Sequence, residues 1–249
     1  MPRQPTLLRR PAGLVLLAAA ATLILGALMG IQGARSHVLP LPELQTLILR
    51  FELARSVAEV TSLLGDPASP QGQLLRATLN LINTTDFAFA LAYPLLNVAM
   101  VAFVAARRAR AWVSVAAALA LAMTVGDFLE NRALIALASA ATPDPEQVQH
   151  LQLATSVKWG ALYLCAGVLG AALLRGGAGR RALALLAFGG GALGLFAVLW
   201  PPSGSFDPRS LAGHASSVVT VLWLAILALA IADLFAGRRS ARNQLPTEP

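Results

Sequence analysis

Six separate stretches of this chain are apolar over the roughly 20 residues that a helix needs to cross about 30 Å of bilayer hydrocarbon. They run over about 12–31, 86–106, 111–134, 153–174, 182–200 and 216–236, and the apolar character of the third continues towards Ala140. Lipid offers the backbone no hydrogen-bonding partners, so each stretch must be a helix. The expected fold is an all-α polytopic membrane bundle of six transmembrane helices. Only 12% of the residues are charged, about half the share in a soluble domain, and 57% are hydrophobic. That composition excludes an ordinary cytosolic enzyme and a disordered chain.

The basic residues fall in short clusters between apolar runs. Arg3, Arg9 and Arg10 precede the first span; Arg107, Arg108 and Arg110 separate the second and third; Arg175, Arg180 and Arg181 separate the fourth and fifth; Arg238, Arg239 and Arg242 follow the sixth. Clusters on alternate connections are a topology signal, and they predict that both termini, including the tail 237–249, are cytoplasmic. The expected location is the bacterial cytoplasmic (inner) membrane, as a multi-pass protein. A net charge of +7 distributed this way does not form the basic face that nucleic acid requires, so no nucleic-acid partner is expected. The first span is read as a retained anchor. Its apolar run exceeds that of a signal peptide, and Gln32-Gly33-Ala34 is a poor cleavage site.

Residues 32–85 form an extracytoplasmic segment too long for a simple connector. Within it Leu44, Ile48, Phe51, Val57, Val60 and Leu64 recur at helical spacing, with Glu52, Arg55 and Glu59 between them. This predicts one amphipathic helix from Leu44 to Leu64, lying on the outer surface or packed over the bundle, with a gating lid as the alternative. Gly65-Asp66-Pro67 stops it, and Pro70 and Gly72 extend the turn-rich stretch. Ala141–Gln152 reads as a short acidic loop and Pro201–Gly213 as a surface connection. Gly26/Gly30 and Gly190/Gly194 are small-xxx-small pairs suited to close helix packing, with a homo-oligomer as the alternative use. No internal repeat marks a transporter built from two halves.

Charges inside a span are expensive, and a functional site is the first hypothesis for each. Asp86, Asp127, Glu130 and Lys158, the only lysine, lie within or at the ends of three consecutive spans. Counting from Arg110 and Arg175 places Asp127 and Lys158 about 26 Å above the basic boundary, with Glu130 and Asp86 at about 30 Å. Helical phase puts Asp86, Tyr93 and Asn97 on one line, Thr124, Asp127, Glu130 and Asn131 on one face, and Thr155, Lys158 and Cys165 on another. Three polar faces at one depth predict an outward-facing pocket, in which Lys158 pairs a carboxylate and Arg132 is a second cation nearer the surface. Asp207, Arg209 and His214 are candidates for its roof, and Asp233 for an interfacial pair with Arg238 or Arg239. Three scattered histidines and a single cysteine give no zinc spacing and no intramolecular disulfide, so no metal or cofactor is expected.

Phe51-Glu52-Leu53-Ala54, the D-x-x-F-x-x-x-Y pattern of Asp86, Phe89 and Tyr93, and D-x-x-E-N at Asp127, Glu130 and Asn131 followed by Lys158-Trp159 occur together. The combination resembles a group of uncharacterised bacterial integral membrane proteins, over roughly residues 45–160. The resemblance implies a recurring pattern at these positions and no particular activity.

The expected function is binding, sensing or moving a small polar or amphiphilic molecule, with membrane lipid a natural ligand at that depth. In such a site Lys158 would pair a ligand anion, while Asp127 or Glu130 exchanges a proton. The alternatives are a membrane enzyme acting on a lipid headgroup or lipid-linked substrate, with Glu130 or Asp127 as base, and an accessory protein whose charges only organise the bundle. No nucleophile motif or phosphate loop favours the enzyme, and the catalytic residues are unassigned.

Overall fold

The computed structural model describes residues 11–105, 110–200 and 206–242, with side chains described as far as Ala236. Arg3, Arg9, Arg10, Arg107 and Arg108, and the side chains of Arg238, Arg239 and Arg242, lie outside the described residues, as does the Asp233 pairing. Six helices are long and apolar enough to span a membrane: α1 (Pro11–Ser36), α4 (Pro70–Ala105), α5 (Arg110–Ser139), α6 (Pro145–Leu173), α7 (Ala178–Leu199) and α8 (Ala212–Arg242). The expected all-α bundle of six spans is therefore present. Two further helices, α2 (Leu41–Glu52) and α3 (Val57–Leu64), form a hairpin between α1 and α4, on the face opposite the arginine clusters.

Two spans begin earlier than hydropathy indicates. Ser69 caps α4, its Oγ accepting from the Gly72 N–H, and Pro70 occupies the first turn, where its missing N–H costs nothing. Pro70 and Gly72 thus open a helix of 36 residues rather than prolong a turn. Its first four turns bury Leu75, Leu79 and Ile82 against the hairpin and the end of α5. Asp144 and Pro145 start α6 in the same way, which shortens the expected acidic loop to residues 140–144.

The amphipathic helix expected over Leu44–Leu64 is two helices. Ser56 accepts from the Glu59 N–H while the Glu59 carboxylate accepts from the Arg55 N–H, a capping arrangement that starts a new helix at Val57. The break buries Phe51, Leu53 and Ala54 inside the protein. Irregular backbone at this depth is tolerable only where protein groups satisfy it. Thr155 donates to the Glu52 carbonyl, Gln152 to that of Arg55, and Arg209 to that of Leu53. Arg55 in turn donates to the Val198 carbonyl at the end of α7. Arg76, 7% exposed, donates to the carbonyls of Gly65, Ala138 and Ala140, tying the ends of α3 and α5 to α4.

Arg209, on a single 3-10 turn (Pro208–Leu211), also binds Glu59 and Asp207. Those bonds hold both carboxyls below their usual range. A depressed carboxyl contributes stability that is complete above its unfolded pKa and lost as pH falls through the folded one. Acidification below about pH 4 is therefore expected to loosen the hairpin before the spans. Hydrogen exchange of α3 amides checks this, and protection unchanged down to pH 3 would refute it.

Within α4, Pro94 leaves the Ala90 carbonyl without its intrahelical donor. The Thr124 hydroxyl of α5 supplies one, at 3.1 Å. Thr124→Val is expected to cost about 1–3 kcal/mol and Thr124→Ser little. Unfolding in mixed micelles measures both.

The small-xxx-small glycines have distinct surroundings. Gly190 faces Val218 and Gly194 faces the Tyr163 ring, both within the bundle. Gly26 and Gly30 border the cleft described next.

Candidate functional site

Lys158 projects from α6 into a nest of carboxylates. Its Nζ pairs with Glu130 and lies 3.1 Å from Asp127 Oδ1 and 3.6 Å from Glu52 Oε2. Asp127 and Glu130 are wholly buried. The i,i+3 spacing on α5 turns both acids towards α6, and Gly126 lets the two helices meet. A Cβ at Gly126 would sit 2.7 Å from the Lys158 backbone nitrogen.

Three carboxylates thus surround one ammonium, which hydrogen-bonds Glu130 and has Asp127 and Glu52 at ion-pair distance. Arg132 is exposed and takes no part. Thr155 Oγ1 lies 2.6 Å from Glu130 Oε1 and 3.0 Å from the Glu52 carbonyl. A hydroxyl has one hydrogen, so both contacts are satisfied together when Glu130 carries a proton and donates it to Thr155. Burial raises the Glu52 carboxyl above its ordinary value, against the pull of Lys158.

Glu52 is the member that sequence reasoning placed on the polar face of an amphipathic helix. Its Oε2 accepts from Trp159 Nε1 at 3.2 Å. The signal for its inward position was Ser56-Val57-Ala58-Glu59, a helix start that implies a break just before it. Asp86 joins through Asn131, whose Nδ2 donates to Asp86 Oδ2 at 2.8 Å. Tyr93 is buried one helical turn above Asn97, which donates to the Tyr93 carbonyl and accepts from Trp223 Nε1. Beyond Asn97, towards the arginine-rich side, Met100, Val101, Val104, Leu169 and Leu173 fill the interior. Among the described residues no polar path continues through them.

A cleft of about 360 Å³ adjoins the cluster, with Glu52, Asp86, Lys158, Asn83 and Tyr93 on its polar side. Its apolar walls include Met29 of α1, Leu44 and Ile48 of α2, Phe89 of α4 and Val219 of α8. α1 and α8 pack through buried residues such as Val15, Ala19 and Ala230 nearer the arginine-rich side, whereas Gly30 and exposed Thr220 border the cleft. Gly30 of α1, Ile48 of α2 and Thr220 of α8 thus lie together on the cleft wall. Asp207, Arg209 and His214 border a separate cavity of about 510 Å³ beneath the hairpin.

Fold and site together define a polytopic membrane protein with a buried carboxylate–lysine cluster at the head of an intramembrane cleft. No protein-family model, curated protein or solved structure matches the chain.

Proposed function

We propose that the cleft binds a small amphiphilic, lipid-like molecule with its polar end at the charge cluster. The observation that carries this reading is the cleft itself. A network that only fixed helix register would have no need of an adjoining space of about 360 Å³ with apolar walls and a charged end. The apolar filling beyond Asn97 favours binding over passage across the membrane.

Gly30 provides the test, because a side chain there meets nothing within 4 Å and would project into open space. The protein is recovered in native lipid nanodiscs and its co-purified molecules are compared by mass spectrometry for wild type and Gly30→Leu. A molecule retained by wild type and lost from an equally stable Gly30→Leu is the expected result. Retention unaffected by the substitution would refute the reading.

A further inference from the structure

We infer that the cleft selects an ammonium-bearing amphiphile with an acceptor oxygen near the charged nitrogen, the chemistry of an amino-alcohol headgroup. This deepens the proposed function and rests on the cleft being a binding site. The charged groups facing the cleft are Glu52, Asp86 and Lys158. Glu52, Asp127 and Glu130 share the one ammonium, and Asp86 has no cation within ion-pair distance among the described residues, so acids outnumber the cation and the net charge presented to a ligand is negative. Glu52 and Asp86 each use one carboxylate oxygen for a protein donor, Trp159 and Asn131 respectively. Among the described residues their second oxygens have none.

One further side chain on the cleft points to a ligand independently of the acids. Asn83 is 5% exposed, and its Nδ2 has no partner. Buried polar groups are seldom left unpaired, and an amide hydrogen requires an acceptor. Asn83 stands one helical turn from Asp86 on the same face of α4, a separation of about 4.5 Å along the axis. An ammonium at Asp86 and an oxygen two or three bonds away answer both. Trp223 adds an aromatic face suited to a cation, whereas the Trp159 ring already has the Lys158 ammonium over it. The cleft volume holds a headgroup and a few carbons, so the remaining chain extends from it into lipid.

Trp159 and Trp223 line the cleft and the other two tryptophans, Trp112 and Trp200, do not. The variant Trp112→Phe/Trp200→Phe, in nanodiscs, is therefore titrated with bromine-tailed amphiphiles that quench indole fluorescence. Four probes share one chain and differ in head: an amino alcohol, a phosphoethanolamine, a phosphoglycerol and a neutral alcohol. Half-quenching by either amine at a mole fraction about 10-fold lower than by the phosphoglycerol is expected, and the better of the two amines identifies the source. Glu52→Gln/Asp86→Asn, which leaves Lys158 with its two α5 partners, should erase the preference. Equal or tighter quenching by phosphoglycerol would overturn the headgroup assignment while leaving the cleft as a lipid site. Equal, non-saturating quenching by all four would overturn the cleft reading itself.

Discussion

Lys158→Met should lower stability by about 3–5 kcal/mol, the penalty of leaving buried carboxylates without their cation. The ammonium is the one group within ion-pair distance of Glu52, Asp127 and Glu130 among the described residues. Its loss strands them at a depth where water cannot screen them. The companion expectation is that Glu130→Gln is far milder. A glutamine amide can donate to Thr155 Oγ1 as a protonated Glu130 does, and Thr155 still serves the Glu52 carbonyl. Triple replacement with Asp127→Asn and Glu130→Gln in the Lys158→Met background should recover most of the loss, since it removes the stranded charge. Unfolding titrations in mixed micelles give the three values. A Lys158→Met variant within 1 kcal/mol of wild type would mean that the cluster is not held by its lysine.

Gly126→Ala is expected to be the second most damaging change, at about 2–3 kcal/mol, even though alanine is the better helix former by about 1 kcal/mol. The added methyl would meet backbone on α6, at 2.7 Å from Lys158 N and 3.0 Å from Ala154 O, and backbone cannot rotate away. The helices must separate, and with them Lys158 from Asp127 and Glu130. Gly160→Ala, on α6 with nothing within 4 Å of the new methyl, is the matched control and should be neutral or stabilising. If both substitutions behave alike, the close α5–α6 approach is not what sets the cluster.

The spans were legible because bilayer thickness imposes a length and backbone desolvation imposes a helix, and neither depends on neighbours. The meeting of Asp127, Glu130 and Lys158 was legible for a related reason. Depth and phase along a straight helix are fixed by residue number alone. Glu52 escaped because its position depends on a helix break, and a continuous amphipathic pattern hid that break from periodicity. Pro70 falls in the expected turn-rich stretch and Pro145 in the expected loop, although each is preceded by a capping side chain, Ser69 or Asp144, which makes the proline a helix start. The cleft was not legible in detail. It forms where α1, α2, α4, α6 and α8 come together, an arrangement which no local pattern encodes.

The carbonyl clamps on the broken α2–α3 segment impose an order on biogenesis. The donors to Glu52, Leu53 and Arg55 are Thr155, Arg209 and Gln152, which follow them in the chain by 103, 156 and 97 residues. At about 5–20 residues per second, the last donor emerges from the ribosome on the order of ten seconds or more after its acceptor. All three carbonyls lack these donors until α6 is made, and that of Leu53 lacks its own until Arg209 follows α7, so docking of the hairpin is completed only as the last span arrives. The hairpin is an early-made part that docks last, and its arrival closes the site.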